Sequence, residues 1–276
     1  MARWAAVLAV VLMAGWAQAE ERVPIKPWWA SGEFAGEAAV EDAILELVNA
    51  HRTKAKLKPL EVVDSLRTAA RQHSTEMLRE DYFAHESPHA AWKNPADRAY
   101  RSGYWEAYVG ENVIIFSTTG DTDLAKLADI MVDGANGWMN SPGHRANILS
   151  TDYTETGIGV AVKGGKAYGT QVFGRRYWDI TEPYLLAKEG AWELGGRAKL
   201  LATAPGVYVG LDDDVFELLK PKVGQTIDFT ALIPVDGKKH RYGLHPSKGG
   251  DSYWLKFLFY LDTNRDMADA RIMPFE

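Results

Sequence analysis

Two stretches of this sequence, WMNSPGHRANIL at residues 138–149 and GIGVAVKGGKAYGTQVFG at residues 157–174, decide how its first half folds. In the second stretch, the apolar side chains of residues 158–162 alternate with small or polar ones, and this period of two is typical of a β-strand. Gly164-Gly165 supplies the positive φ that a tight turn needs, and the alternation resumes at residues 168–172. The pattern predicts a β-hairpin.

Helical periodicity precedes the hairpin. A helix over residues 121–138 is expected to end at Pro142-Gly143. Val113 to Phe116 is a short apolar run, either a strand or a segment that lines the core. Helices lying over a hairpin predict an α/β fold, a sandwich of helices and sheet, for residues 38–178. The apolar residues that define the three helical faces are Val40, Ile44, Leu47 and Val48, then Leu66, Ala69, Ala70, His73 and Met77, then Leu124, Leu127, Ile130 and Met131.

The second half has a different character. Residues 183–276 are predicted to form a small β-rich domain, for which a sandwich is one arrangement, because turn signals separate apolar runs of strand length. His240 and His245 are expected in its loops. The predicted strands are Tyr208–Leu211, Thr226–Ile233 and Tyr253–Leu261.

The N-terminus carries the features of an export signal. Arg3 is followed by an apolar run from Ala5 to Ala14, and Ala17-Gln18-Ala19 is a cleavage pattern. The run is shorter than the roughly 20 residues that span a bilayer, which argues against a membrane anchor in the mature chain. We expect a signal peptide at residues 1–19, cleaved after Ala19, an N-terminal arm at residues 20–37, and a periplasmic or secreted protein.

Composition restricts the function classes. The chain has no cysteine, so an exported protein of this sequence must rely on core burial instead of disulfides. The hydrophobic fraction of 46% is that of a globular protein. A net charge of −6 argues against nucleic acid as a partner, because such proteins need a basic face.

One short motif is misleading. Residues 85–89, His-Glu-Ser-Pro-His, match the H-E-x-x-H pattern of zinc proteases, which needs both histidines on one helical turn. Pro88 opposes a helix there, since it lacks an N–H and disfavours helical geometry at Ser87. A chance match in a loop is therefore predicted.

A set of segments dispersed along residues 38–176 carries a stronger signal. In order and spacing, these segments resemble the CAP domain, which is also called the SCP domain. It is the domain of cysteine-rich secretory proteins, antigen 5 and pathogenesis-related-1 proteins. The similarity is greatest to the cysteine-free bacterial branch and covers about residues 38–176. The segments are Asn49-x-x-Arg52, Leu57-x-Pro59-Leu60, Leu66-x-x-x-Ala70-x-x-x-Ser74-x-x-Met77, Phe83-Ala84-His85, Arg98-x-x-x-x-Gly103-Tyr104, Gly110-Glu111-Asn112, Trp138 to Leu149, Gly157 to Ala161, and Tyr168-x-Thr170-Gln171-x-Phe173-Gly174.

The resemblance implies an α-β-α sandwich with a central cleft lined by two histidines and two acidic residues. His85, Glu111 and His144 fall on three of these positions, and Ser141 falls on the position of the second glutamate. We expect Asn112 and Arg145, next to these residues, to line the cleft as well.

The chemistry of the cleft leaves three interpretations open. Two imidazoles and a carboxylate can bind zinc or another divalent metal, with His89 as a fourth ligand if its loop folds inward. Without metal, Glu111 can hold a histidine as a cation that binds polar or anionic groups. Alternatively, the three residues form a structural hydrogen-bond network. His51 and His73 are predicted to be core or boundary residues.

Two functions follow from these interpretations. The favoured one is an exported binding module whose cleft holds a divalent metal, a small molecule, a lipid or a protein ligand. The alternative is a peptidase-like hydrolase that uses His85, Glu111 and His144, but no acidic group that would orient a nucleophile is evident beside Ser141. A third possibility is that the β-rich domain binds the partner and the first domain is a scaffold.

Overall fold

The computed structural model describes residues 22–263, apart from residues 28, 30–31, 106–107, 118–123, 202–206, 213, 221, 250–251 and 254–256. The predicted signal peptide at residues 1–19 lies outside the described residues. Of the helices that are described, none is both long and apolar enough to cross a membrane.

The first part of the described chain contains both helices and strands, and the part after residue 174 contains strands alone. The helices are α1 (Ala38–Lys54), α2 (Asp64–Glu80), α3 (Pro95–Arg101), α4 (Leu124–Asp133) and α5 (Pro142–Ile148). The strands are β1 (Val23–Pro24), β2 (Glu61–Val62), β3 (Val109–Ser117), β4 (Glu155–Lys163), β5 (Lys166–Gly174), β6 (Trp178–Lys188), β7 (Ala191–Leu200), β8 (Val207–Leu211), β9 (Asp214–Leu219), β10 (Thr226–Pro234), β11 (Lys239–Gly249), β12 (Ser252–Tyr253) and β13 (Phe257–Asp262).

The first sheet has the strand order β2-β4-β5-β3. Strands β4 and β5 form the predicted antiparallel hairpin, with Gly164 and Gly165 at positive φ in its turn. Apolar residues of α1 and α4 share one core with Ile158 and Val160 of β4, whereas α2 and α3 share another with Val172 of β5. Helices therefore cover both faces of the sheet, and the predicted α-β-α sandwich is confirmed. The apolar run at residues 113–116 is part of strand β3.

The small residues of β4 let helix α2 lie directly on the sheet. A Cβ added to Gly159 would lie 2.2 Å from the backbone nitrogen of Arg71, and one added to Gly157 would lie 2.0 Å from that of Arg67. Both distances are far inside van der Waals contact. The alternation in this strand therefore separates a face that packs side chains from a face that packs backbone.

The exposed edge of β4 is closed by the start of α1. Beyond its short pairing with β2, the backbone N–H of Val160 donates to Glu41 Oε1, and the N–H of Glu37 donates to the carbonyl of Val160. Arg71 pairs with the buried Glu41 carboxylate at 2.6 Å. These contacts satisfy backbone groups that would otherwise form an open sheet edge.

Helix α4 ends earlier than its apolar periodicity predicts. It stops at Asp133, where the N–H of Gly134 bonds back to the carbonyls of Asp129 and Ile130, and not at Pro142. Pro142 instead occupies the first turn of α5, where proline is tolerated because its missing N–H has no helical partner. The prediction that Pro142-Gly143 ends a helix was wrong, since the same residue type can end or begin one.

The remaining strands form two sheets, with the orders β1-β6-β7-β10 and β12-β11-β8-β9, and β13 pairs with β11. Leu194 and Phe229 of the first and Tyr242 of the second belong to one buried core, so the prediction of a β-rich second half is confirmed. Strand β1 of the N-terminal arm pairs with β6 through Val23 and Leu185. The division into domains at residues 38–178 and 183–276 stays a prediction.

Candidate functional site

The candidate site is built around a buried carboxylate on strand β3. The side chain of Glu111 is 1% exposed, and its Oε2 lies 2.7 Å from Nη2 of Arg98, whose side chain is fully buried on α3. Its Oε1 accepts a hydrogen bond from His85 Nδ1 at 2.9 Å. Burial raises the pKa of Glu111, but the charge of Arg98 and the hydrogen bond from His85 bring the pKa below its ordinary value. The carboxylate is therefore ionised at neutral pH.

Arg98 also holds the loop that carries His85. Its guanidinium donates to the carbonyls of His85 at 3.0 Å and Lys93 at 2.9 Å. The capping box of α3, in which Asn94 and Asp97 bond each other's backbone, fixes the start of this helix. One buried cation thus positions both the carboxylate and the first histidine of the site.

His85 faces the solvent side of this arrangement. Its side chain is 52% exposed. The hydrogen bond with Glu111 raises the pKa of its ring by more than burial and the charge of Arg98 lower it. Because Nδ1 is engaged by Glu111, Nε2 is the ring nitrogen left for a ligand.

His144 approaches from helix α5. Asn112 Nδ2 donates to the His144 carbonyl at 3.1 Å, and Asn147 Nδ2 donates to Asn112 Oδ1 at 2.9 Å, which fastens α5 to β3. Burial lowers the pKa of the His144 ring, and so does the charge of His85. The two histidines are therefore electrostatic neighbours, and His144 Nδ1 has no hydrogen-bond partner within the described residues.

His73 lies beneath the site. The prediction of a core histidine is confirmed, since its side chain is fully buried on α2. Its Nε2 donates to the Ala84 carbonyl at 2.9 Å and lies 3.9 Å from Glu111 Oε1. Burial and the charge of Arg98 lower the pKa of His73 to about 4, so the ring is neutral.

The other predicted site residues lie at different places. Asn112 is buried behind His144, and Ser141 is the N-cap residue of α5, although its side chain makes no capping hydrogen bond. Arg145 is exposed and lines a cavity of about 420 Å³ together with Met139 and Leu149. Arg145 and Asn147 come after Pro142-Gly143, where a helix was expected to end, but they lie inside α5, which was not predicted.

His89 lies apart from these residues. Its Nε2 bonds to Glu80 at 2.9 Å, and no helix includes residues 85–89, so the H-E-x-x-H match is a loop, as predicted. The structure shows no contact that would make His89 a ligand in the cleft. Within the described part of the chain, one group of three potential metal-binding side chains has its ligand atoms within 4.8 Å of one another. This group is Glu76, Glu80 and His89.

Arg98 is the functional residue whose role sequence reasoning missed. Arg98 belongs to the Arg98-x-x-x-x-Gly103-Tyr104 segment, but the sequence did not indicate that it would pair with Glu111. A usable signal exists: Glu111 lies on the strand that contains the apolar run at residues 113–116, and a buried carboxylate needs a compensating cation. Pairing the two required knowing that α3 packs beside β3.

Comparison with known proteins supports this part of the fold. Residues 45–175 match the model of the cysteine-rich secretory protein family, CAP. The uncharacterized protein YkwD of Bacillus subtilis is 34% identical over 138 residues, which are 50% of this chain and 48% of that protein. The uncharacterized membrane protein YlbC of the same organism is 33% identical over 140 residues, 50% of this chain and 35% of YlbC.

A solved structure is also similar in sequence. The SCP-domain-containing extracellular protein of Bacillus anthracis is 29% identical, with a TM-score of 0.41, over 51% of this chain and 41% of that one. This chain spans about half or less of the length of the curated relatives it matches.

Proposed function

We propose that this protein is an exported binding module whose cleft, formed by His85, Glu111 and His144, holds a divalent metal ion or a small ligand. The observation that carries the proposal is the hydrogen bond from His85 Nδ1 to the buried Glu111 carboxylate. A carboxylate behind a histidine fixes the ring and makes its other nitrogen a better donor, which is the usual support of a metal-binding histidine.

We assign different tasks to the three residues. Glu111 is already paired with the positive charge of Arg98 and accepts a hydrogen bond from His85, so we assign it the task of orienting the site and not of binding the ion. The imidazoles of His85 and His144 are the groups that would touch the ion. A neutral imidazole is a good ligand for zinc, and the lowered pKa of His144 keeps its ring neutral.

The donor set fits a divalent ion that keeps open coordination positions. Two histidine nitrogens leave room for water or a polar ligand at the metal. A bound ion would supply a Lewis-acidic point that holds an anionic or carbonyl group. The hydrolase alternative has less support. Glu111 is engaged by Arg98 and His85, and among the described residues Ser141 at the start of α5 has no side-chain contact that would activate it as a nucleophile.

Metal titration of the mature chain tests the proposal. We expect calorimetric zinc binding in the wild type to lose one site in the His85→Ala/His144→Ala variant. The His51→Ala variant is the control, because His51 pairs with Asp133 on α1 and α4, away from the cleft. Equal zinc stoichiometry and affinity in the wild type and the double variant would overturn the metal proposal.

A further inference from the structure

A second group of polar side chains lies on the other side of the loop that carries His85. Helix α2, the arm and this loop line a cavity of about 190 Å³, whose polar and charged lining consists of Gln72, Thr75, Glu76, Arg79, Glu80 and His89. Potential ligand atoms of Glu76, Glu80 and His89 all lie within 4.8 Å of one another. This cluster is separate from the cleft, because none of its members contacts Glu111 or His144.

We propose that Glu76, Glu80 and His89 form a binding site for a divalent transition-metal ion, with Gln72 as an additional oxygen ligand. The chain geometry suits this role. Glu76 and Glu80 are one helical turn apart on α2, so their side chains emerge on the same face. His89 reaches the same point from the loop.

Glu76 is a buried negative charge that has only neutral partners. One carboxylate oxygen accepts hydrogen bonds from the hydroxyls of Tyr82 and Ser87, and the other accepts from the Trp92 indole and the Gln72 amide. No lysine or arginine pairs with this carboxylate among the described residues. Hydrogen bonds from neutral groups stabilise the ionised Glu76 carboxylate but do not cancel its negative charge. That charge favours a cation in the adjoining cavity.

Gln72 places a buried polar atom without a hydrogen-bond partner beside this cluster. Its residue is 4% exposed, and its Oε1 is buried without a hydrogen-bond partner in the described structure, although its Nε2 donates to Glu76. An unsatisfied buried carbonyl oxygen is costly, and a bound cation or its water would satisfy it. Gln72 lines the same cavity as Glu80 and His89.

Glu80 and His89 complete the site at the surface. Their side chains are each 43% exposed, and the His89 ring donates to Glu80 at 2.9 Å. An ion bound between them would replace the ring proton that now links imidazole and carboxylate. The His89 ring also packs against Trp92, with 5.0 Å between the ring centroids, which limits its motion.

The type of donor selects the type of ion. One imidazole nitrogen combined with carboxylate oxygens suits zinc and related transition metals, whereas calcium and magnesium favour oxygen alone. Because His89, Ser87 and His85 belong to one loop, an ion here would fasten that loop to α2 and limit the positions open to His85.

The test measures zinc binding where the cleft histidines are absent. In the His85→Ala/His144→Ala background we expect calorimetry to show one remaining zinc site. Adding Glu80→Gln or His89→Gln is expected to weaken that site by at least about tenfold. Zinc should also raise the melting temperature of the background variant, and the added substitutions should remove this shift. The control is Glu86→Gln, which changes an exposed carboxylate of the same loop that pairs with Lys93.

Each outcome decides the proposal. Zinc affinity that is unchanged by both Glu80→Gln and His89→Gln overturns it, and so does the absence of zinc binding in the background variant. Calcium binding that equals zinc binding would also contradict it, because the imidazole would then contribute nothing. The cleft proposal is tested separately by the difference between the wild type and the background variant.

Discussion

Arg98 Nη2 lies 2.7 Å from Glu111 Oε2, and both side chains are hidden from solvent. This ion pair joins α3 to β3 beneath the cleft. Since a buried charge without a partner is strongly unfavourable, removing either side chain leaves the charge of the other without compensation. Because Arg98 also donates to the His85 carbonyl, the pair helps to fix the position of His85 relative to Glu111.

The first prediction concerns this pair. Arg98→Met is expected to destabilise the protein by about 3–5 kcal/mol, because the buried Glu111 carboxylate loses its arginine and, of its described hydrogen bonds, keeps only the one from His85. The double variant Arg98→Met/Glu111→Leu should be more stable than the single one. Urea denaturation measures both, with Arg197→Met, which breaks an exposed pair with Asp228, as a control of little effect. A double variant that is no more stable than Arg98→Met would contradict the prediction.

The second prediction concerns the contact between α2 and β4. Gly159→Ala is expected to cost about 2 kcal/mol or more, since its Cβ would overlap the backbone of Arg71 and force the helix away from the sheet. Gly143→Ala is the matched control, because nothing lies within 4 Å of the added atom and alanine favours the helix in which it lies. Thermal unfolding of the two variants should give opposite or clearly unequal shifts.

The third prediction separates positioning from ligation in the cleft. Asn112→Ala removes the hydrogen bond to the His144 carbonyl and the acceptor of Asn147, so α5 is less firmly held to β3. We expect zinc affinity in the cleft to fall about tenfold, although no ligand is lost. Asn140→Ala removes comparable bonds to Asp133 and Gly134 elsewhere and should leave affinity unchanged. Equal affinity in both variants would count against a positioning role for Asn112.

The fourth prediction is a pH dependence in the β-rich half. His240 was expected in a loop, but it lies in β11, where it is 5% exposed and bonds to Asp212 at 2.8 Å and Asp236 at 2.9 Å. Burial lowers the pKa of His240, yet the two aspartates raise it by more, so the net pKa lies above 6.5. A raised pKa means that the protonated ring stabilises the fold.

The sign of the effect follows from linkage. The stabilisation is complete below the unfolded value of about 6.5 and is lost as pH rises through the higher folded pKa. Melting temperatures from about pH 6 to 9 should therefore fall more steeply for the wild type than for His240→Gln. Parallel curves for the two proteins would show that the aspartates do not hold a charged His240.

The parts of the fold that were predictable depend on local patterns. The hairpin at residues 157–174 was identified by its period of two and its Gly-Gly turn, which require only neighbouring residues. The end of α4 was misplaced because apolar periodicity continues past Gly134, and local sequence does not say whether Pro142 ends a helix or begins one.

Within the site, the resemblance selected His85, Glu111 and His144 as candidates, and the structure brings the first two into direct contact. It did not reveal that Arg98 would occupy one oxygen of Glu111. It also did not reveal the cluster at Glu76, Glu80 and His89, because the loop after α2 must fold back onto the helix to bring His89 to the two carboxylates.

The sequence by itself therefore determined helices α1 and α2 and the hairpin, because periodicity and turn chemistry are properties of neighbours along the chain. The resemblance supplied His85 and His144 as candidates. Only the tertiary structure decided that Arg98 neutralises Glu111 and that His89 faces Glu80 instead of the cleft. Charge pairing depends on burial and on distances between remote segments, and these exist only once the layers have packed.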